Sequence, residues 1–169
     1  AGDCILQPPG IRHRVLESSG NLEVIEIAFP PDHETYIDES FFLPSYSKDV
    51  HKIYHGQRFL HHKETKEIYR KLLSNGLEVY VTDVKEASCG FADLNIYRSN
   101  RGGEAFVYYP NGKFSFFFVV CGSARLSSEE SENIWLREAD SLLIPGGMTF
   151  SLTEMSDDLK LFELLVPAN

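Results

Sequence analysis

The sequence predicts an all-β protein folded as a closed barrel or jelly roll, with an extra pair or trio of strands at the N-terminus. Three observations support this fold class. The chain has 169 residues, of which 43% are hydrophobic, and its 12 phenylalanines and 8 tyrosines favour strands. Short apolar runs separated by turn residues follow one another between residues 76 and 136. A unit of three predicted strands also occurs twice in the chain.

The repeated unit is the most informative of these observations. Residues 2–30 align without a gap to residues 139–167, with a constant offset of 137. Each copy predicts a short apolar strand, a Pro-Gly turn, a second strand, a polar turn and an alternating third strand, because proline fixes φ and glycine permits positive φ. The identical pairs include Asp3/Asp140, Pro8/Pro145, Gly10/Gly147, Glu17/Glu154, Ser19/Ser156, Leu22/Leu159, Glu26/Glu163 and Pro30/Pro167.

Only the second copy follows a long series of predicted strands. The segments are LEVYVTDV, FADLNIYR, EAFVYY, FSFFFVVCG, ARLS and NIWLRE. The turn residues Pro110-Asn111-Gly112-Lys113 separate two aromatic runs and predict a hairpin, since asparagine and glycine both tolerate positive φ. No such series precedes the first copy, so its strands lack the partners that the second copy has.

We therefore expect three parts. Residues 1–30 are the closing strands of an incomplete first barrel, residues 31–75 are a linker with a short helix, and residues 76–169 are a complete barrel. The helix is predicted for KETKEIYRKLLSNG, in which Asn-Gly provides the stop. Four linker histidines are interpreted as surface residues of an extended segment rather than metal ligands, since no carboxylate motif accompanies them. They are His51, His55, His61 and His62.

The Pro-Gly turns resemble the second sequence motif of the cupin superfamily, which consists of glycine, five residues, Pro-x-Gly, two residues and histidine. The first copy matches this motif in full, at Gly2, Pro8, Gly10 and His13. The later copy keeps the Pro-x-Gly but has Ala139 and Phe150 in place of glycine and histidine. The resemblance implies a cupin-type jelly-roll β-barrel over residues 76–167, preceded by the end of a first cupin, as in a bicupin.

The same resemblance places the metal-ligand positions. In cupins three histidines and one glutamate hold a divalent metal inside the barrel. In the complete barrel the positions of the first motif, counted back from Gly122, fall on Tyr108 or Tyr109, Pro110 or Asn111, and Ser115. None of these residues is a ligand of the family's kind, so the resemblance implies no metal cofactor in this barrel. The residues expected to line an interior ligand pocket are Tyr108, Ser115, Phe117 and Phe150.

His13 is the one residue that stands at a metal-ligand position. The other ligands of its incomplete site, and any divalent metal, would belong to the missing first cupin. Alternatively, His13 is a partly exposed polar residue between Arg12 and Arg14, which is the interpretation we favour for this chain.

Two functions are compatible with these residues. The first is a barrel without its own metal that binds a small organic ligand, or a vestigial barrel that serves as a scaffold. The second is part of a metal-dependent cupin enzyme of the dioxygenase or isomerase type, whose active half includes His13. The sequence identifies no catalytic residue and does not decide whether the chain is an enzyme.

Charge and composition narrow the range of partners. The net charge of -9 gives no basic surface for nucleic acid or anionic lipid. No apolar run is long enough to span a bilayer, the three cysteines form no C-x-x-C pair, and no export signal is visible, so we expect a cytoplasmic protein. The apolar alternating segment 22–29 should be covered by a sheet or a second chain, which predicts a homodimer formed through β-strands.

Overall fold

The structure is a computed structural model that describes residues 2–29, 32–40, 49, 51–65, 70–71, 76–99, 105–128 and 133–168. These residues form fourteen strands and one short helix, α1 (Val84–Ala87). The strands are β1 (Cys4–Leu6), β2 (Ile53–Tyr54), β3 (Gln57–Arg58), β4 (Leu60–His62), β5 (Arg70–Lys71), β6 (Leu77–Val81), β7 (Asp93–Ser99), β8 (Phe106–Tyr108), β9 (Gly112–Cys121), β10 (Ser123–Ser128), β11 (Ile134–Arg137), β12 (Ser141–Pro145), β13 (Phe150–Thr153) and β14 (Lys160–Pro167). Within the described ranges, no helix has the length and apolar character needed to cross a membrane.

Strands β7 to β14 form a jelly roll of two antiparallel sheets, and β5 and β6 extend one of these sheets. One sheet has six strands in the order β12-β9-β14-β7-β6-β5, and the other has four in the order β11-β10-β13-β8. In this series β10 and β11 are the only consecutive strands that pair, since the other connections pass from one sheet to the other. The predicted all-β fold and jelly-roll barrel are confirmed.

Strand β14 lies between β7 and β9 and supplies the centre of the interior face. Its register places Glu163 beside Asn95 on one side and Phe117 on the other. Residues two apart on a strand face the same way. Leu161 and Glu163 therefore both point inward, and each is only 1% exposed. The four-stranded sheet closes the core from the opposite side with Phe106, Leu126, Leu136, Phe150 and Leu152.

The predicted hairpin at residues 110–113 is wrong. Strand β8 pairs with β13, whereas both edges of β9 are taken by β12 and β14. The turn therefore carries the chain from the four-stranded sheet to the six-stranded sheet. Gly112 is required there for a close approach rather than for positive φ, because a Cβ at this residue would lie 2.4 Å from the carbonyl oxygen of Val166.

The two copies of the repeat share backbone geometry at their turns. Gly2 and Ala139 both have positive φ, at 122° and 69°, and so do Gly10 and Gly147, at 77° and 84°. Two turn hydrogen bonds also recur at the same offset along the chain. They join Ile11 N to Pro8 O (3.3 Å) and Met148 N to Pro145 O (3.2 Å), then Leu22 N to Ser19 O (3.3 Å) and Leu159 N to Ser156 O (3.1 Å).

The strands of the first copy, in contrast, form only in part. Strand β1 is present, but residues 11–29 contain no strand. Val24 is 73% exposed, whereas its counterpart Leu161 is 1% exposed. The physical reason is that β14 has β7 and β9 as neighbours, while no described strand lies beside residues 22–29, and a strand without partners gains no hydrogen-bond ladder. That a second chain covers this segment stays a prediction.

The segment expected to be a linker contributes short strands instead of the predicted helix. Strand β4 pairs with β1, β2 pairs with β3, and β5 pairs with β6. Arg70 and Lys71 are therefore extended, which corrects the predicted helix at these two residues, because pairing with β6 outweighs the local helical pattern. Residues 66–69 and 72–75 of that prediction lie outside the described residues.

The N-terminal segment is attached to the barrel at two points. The Glu64 carboxylate pairs with the ammonium of Lys160 on β14, and the Glu64 backbone N–H donates to Asp3 Oδ1 at 3.2 Å. Further along, the ring of Phe29 lies 5.2 Å from that of Phe91 and 6.2 Å from that of Phe114. These contacts hold both ends of the first repeat copy against the complete barrel.

We predict that Gly146→Ala destabilises the fold, because its Cβ would lie 2.2 Å from the backbone oxygen of Gly112, which a strand holds in place. Overpacking of this kind costs about 1–3 kcal/mol. Gly20→Ala is the matched control, since a Cβ at Gly20 meets nothing within 4 Å. Chemical denaturation of the two variants measures the difference, and equal unfolding free energies would show that the 112–146 contact is not tight.

Candidate functional site

The four residues predicted to line an interior pocket converge between the two sheets. Tyr108 on β8 and Phe150 on β13 come from the four-stranded sheet, and Ser115 and Phe117 on β9 come from the six-stranded sheet. The Tyr108 ring lies 5.2 Å from that of Phe150 and 5.3 Å from that of Phe117, and its hydroxyl is 2.9 Å from Ser115 Oγ. Their use by a ligand stays a prediction.

Glu163 lies at the centre of this cluster and was not predicted from the sequence. Both oxygens of its carboxylate accept hydrogen bonds. Asn95 Nδ2 and the Tyr97 hydroxyl donate to Oε2 at 3.1 and 2.8 Å, while Ser115 Oγ donates to Oε1 at 3.1 Å. The Tyr108 hydroxyl also donates to Oε1. We call Glu163 and these four donors the carboxylate cluster.

A signal for Glu163 was present in the sequence. It occupies the same face of β14 as Leu161, so an acidic residue interrupts an otherwise apolar inward face. It is also one of the identical pairs of the repeat, opposite Glu26. A charged residue at an inward position of an alternating strand indicates a buried carboxylate with dedicated partners.

The carboxylate cluster satisfies a buried charge with neutral donors alone. A carboxylate has about four lone-pair sites, and the four donors occupy them. Burial raises the pKa of both Tyr97 and Tyr108, and the neighbouring Glu163 carboxylate raises each pKa further. Both phenols therefore keep their protons at physiological pH and remain donors. The arrangement stabilises the interior but leaves no oxygen of Glu163 open to a ligand.

Asp93 adds a second carboxyl group on the same strand face as Asn95. Desolvation raises its pKa, Lys85 opposes this rise, and the nearby Glu163 charge adds to it. One oxygen, Oδ1, is buried and has no hydrogen-bond partner in the described part of the chain. The ionised form of Asp93 is therefore less stable, relative to its protonated form, in the folded chain than in the unfolded chain.

The residues inside the barrel do not fit the divalent metal that cupins hold with three histidines and one glutamate. Tyr108, Ser115 and Phe150 do meet in space, as expected for the ligand positions, but they offer two neutral hydroxyls and a phenyl ring. Of the two carboxyl groups nearby, Glu163 already accepts four hydrogen bonds, and Asp93 alone does not make a metal site. Throughout the described ranges, no group of three or more His, Cys, Asp or Glu residues could hold a metal ion.

The histidines considered as ligands lie apart from this interior. His13 is exposed, and its Nδ1 is 3.3 Å from the carbonyl oxygen of Ile11. His55 is in the turn between β2 and β3, so it does not share a helix face with His51. His61 Nε2 lies 3.4 Å from Asp3 Oδ2, and the His62 ring lies 4.7 Å from that of Tyr80.

A cleft of about 450 Å³ opens where the free edges of the two sheets, β11 and β12, diverge. Phe150 is the only one of the four predicted pocket residues that lines it. Since Phe150 also contacts Tyr108 and Phe117, it separates the cleft from the carboxylate cluster. The lining residues are Leu126, Ser128, Ile134, Trp135, Leu136, Asp140, Ser141, Leu142, Ile144, Met148 and Phe150.

A second cleft of about 480 Å³ lies beside Phe29, between the turn at residues 89–91 and the end of β14. One of its walls is the irregular N-terminal segment, and it includes no residue of the carboxylate cluster. The first cleft, by contrast, is walled by barrel strands and reaches the barrel interior. It is therefore the better candidate for a preformed binding site.

We predict that Glu163→Gln destabilises the fold by about 1–3 kcal/mol, because its amide group would face donors that need an acceptor. Glu26→Gln is the matched control, since Glu26 occupies the same position in the first repeat copy and is exposed. We expect it to change the unfolding free energy by less than about 0.5 kcal/mol. Urea denaturation of both variants checks this, and an equal loss would contradict a special role for Glu163.

We also predict that Asp93→Asn stabilises the fold more at neutral than at acid pH. The folded chain binds the Asp93 proton more tightly than the unfolded chain, where the ordinary pKa is 3.8. The tighter binding of this proton stabilises the folded chain fully when the pH is below the unfolded pKa of 3.8. The stabilisation is lost as the pH rises through the raised pKa of Asp93 in the folded chain. Melting temperatures at pH 4 and pH 7 test this, and a gain that is larger at pH 4 would contradict it.

Known proteins resemble this chain in structure rather than in sequence. No protein-family model and no curated protein matches the sequence. A predicted oxalate decarboxylase from Thermotoga maritima superposes with a TM-score of 0.50 and 17% identity, over 61% of this chain and 96% of that chain. The polyketide cyclase RemF from Streptomyces resistomycificus superposes with a TM-score of 0.51 and 10% identity, over 62% and 78%.

The EutQ protein of Clostridium difficile also matches, with a TM-score of 0.46 and 13% identity, over 57% of this chain. The chain spans 66% of that protein, just under two thirds. The matched oxalate decarboxylase structure is a cupin-superfamily protein. At these identities the likeness concerns the fold alone. Together with the jelly-roll topology, it shows that the barrel of this chain has the cupin fold.

Proposed function

We propose that the barrel binds a small organic molecule in the cleft between β11 and β12. The observation that carries the proposal is the cleft itself, which holds about 450 Å³, is lined mainly by apolar side chains and ends on Phe150. Preformed sites for small molecules have volumes of roughly 300–1,000 Å³ and combine an apolar lining with a few polar groups. Ser128, Asp140 and Ser141 are such groups here.

The exposed apolar surface at the cleft favours the binding of a ligand there. Trp135 is 48% exposed although it lines the cleft, and Ile134 beside it is also exposed. Covering apolar surface gains about 25 cal/mol per Å². A ligand that contacts the Trp135 ring and the apolar side chains of β12 would remove this surface from water. Burial of this apolar surface would therefore favour the binding of a ligand at the two edge strands.

The carboxylate cluster has a supporting role in this proposal. Tyr108 donates a hydrogen bond to Glu163, and the Tyr108 ring packs on Phe150. Phe150 is thereby held in place as the inner wall of the cleft. A fixed wall reduces the ordering cost of binding, which is the general benefit of a preorganised site.

A second candidate function is part of a metal-dependent cupin enzyme, in which His13 is one ligand of a divalent metal. The observation that favours it is the shared turn geometry of the two repeat copies, in whose alignment His13 corresponds to the interior residue Phe150. One imidazole is not a metal site, so the remaining ligands would have to come from another barrel. We also propose that residues 22–29 pair with a second chain in a homodimer, because the corresponding strand of the second copy, β14, is paired on both sides.

The proposed cleft can be tested through Trp135, which is the chain's one tryptophan and therefore a specific fluorescence reporter. Titration with uncharged N-phenylnaphthylamine should give saturable energy transfer from Trp135 to the probe. Leu142→Phe should weaken binding at least about tenfold, since Leu142 lies on the inward face of β12 with Ile144 and the larger ring would narrow the cleft. Calorimetry provides an independent measure of the dissociation constant.

Leu143→Phe is the control for added hydrophobic surface. Leu143 is on the same strand and is 61% exposed, but it does not line the cleft. We expect this variant to bind the probe as the original chain does. Energy transfer that does not saturate, or that is equally reduced in both variants, would contradict the proposal.

A further inference from the structure

We infer that the ligand of this cleft is an organic cation, an amine or quaternary ammonium group on an apolar body. This inference rests on the proposed function and specifies its ligand class. Three features of the cleft support it: the charge of its lining, the position of its one carboxylate, and its aromatic surface.

The charge of the lining is negative. Asp140 is the only ionisable residue among the described residues that line the cleft, and no lysine, arginine or histidine is among them. A carboxylate on the ligand would therefore meet a like charge within the lining. The nearby Arg125 and Arg137 lie outside the lining, and Arg125 is paired with Glu154. The net charge of -9 for the whole chain attracts cations and repels anions before they reach the cleft.

Asp140 is held in a defined position at the start of β12. Its Oδ2 accepts a hydrogen bond of 2.8 Å from the backbone N–H of Arg137, and its own backbone N–H donates to the Arg137 carbonyl at 2.9 Å. The structure gives Oδ1 no partner among the described residues. An ammonium group at the mouth of the cleft could donate to this oxygen, forming a charge-assisted hydrogen bond.

The aromatic lining suits the rest of such a ligand. Trp135 lies on β11, next to the mouth of the cleft, and Phe150 closes the inner end. The face of an indole ring attracts a cation within about 6 Å of its centre, and tryptophan is the most effective side chain for this interaction. The apolar body would contact Leu142, Ile144 and Phe150. The cleft therefore has the Asp140 carboxylate for the ammonium group of such a ligand and apolar side chains for its body.

The test compares three molecules that share one apolar body: adamantylamine, adamantanol and adamantane carboxylate. We expect adamantylamine to bind about tenfold more tightly than adamantanol, a difference of about 1.4 kcal/mol, and the carboxylate to bind more weakly than the alcohol. Trp135 fluorescence and calorimetry measure the dissociation constants. The preference for the amine should decrease as salt is raised, since the charges near the mouth are open to solvent.

Two variants separate the role of Asp140 from that of net charge. Asp140→Asn keeps an oxygen for the Arg137 N–H but should remove the preference for the amine while leaving adamantanol binding unchanged. Glu138→Gln makes the same change in net charge at an exposed residue outside the cleft and should keep the preference. Circular dichroism and melting curves show whether each variant is folded.

The outcomes distinguish the ligand class from the proposed cleft. If N-phenylnaphthylamine binds at Trp135 but the amine binds no better than the alcohol or the carboxylate, the inference of a cation is wrong and the cleft stands. An equal loss of preference in Asp140→Asn and Glu138→Gln would also overturn the role of Asp140. If no uncharged probe binds either, the proposed function and the inference fail together.

Discussion

The interior of this barrel depends on one buried carboxylate. Glu163 lies on the central strand of the six-stranded sheet, and the hydroxyl that reaches it from the four-stranded sheet belongs to Tyr108. An unpaired buried carboxylate would cost several kcal/mol, on the order that destabilises a small domain, so its donors have to be in place when the sheets close. Of the four hydrogen bonds, the one from Tyr108 crosses between the sheets and constrains how they face each other, whereas the apolar contacts around it are less directional.

The barrel has the cupin fold, and the polar groups in its interior are arranged around Glu163. The residues at the family's ligand positions are a phenol, a hydroxyl and a phenyl ring, and they are organised around Glu163 from a different strand. Phe150, which replaces a histidine of the motif, has the carboxylate cluster on one side and the cleft on the other. In the proposed function, a ligand would therefore contact the edge of the barrel rather than its centre, because Trp135 and Asp140 are accessible there.

Much of the barrel could be predicted from the sequence, because strands β6 to β14 alternate or run apolar between turn residues and the repeat marks the last three. Local signals were misleading where tertiary pairing decided the outcome. Asn111-Gly112 is a strong hairpin signal, yet β9 already has two neighbours, and Arg70 and Lys71 pair with β6 although the segment has a helical pattern.

Glu163 was missed because no local pattern tells which distant hydroxyls a buried carboxylate will meet. Trp135 and Asp140 become neighbours of Phe150 only when the two sheet edges are in place.

A double-mutant cycle on Glu163→Gln and Tyr108→Phe tests most directly whether the carboxylate joins the two sheets. Urea denaturation of both single variants and the double variant gives the coupling free energy. The hydrogen bond between these residues predicts that the losses are not additive, with a coupling of at least about 0.5 kcal/mol. Additive losses within about 0.3 kcal/mol would show that Tyr108 and Glu163 act independently and would contradict the account.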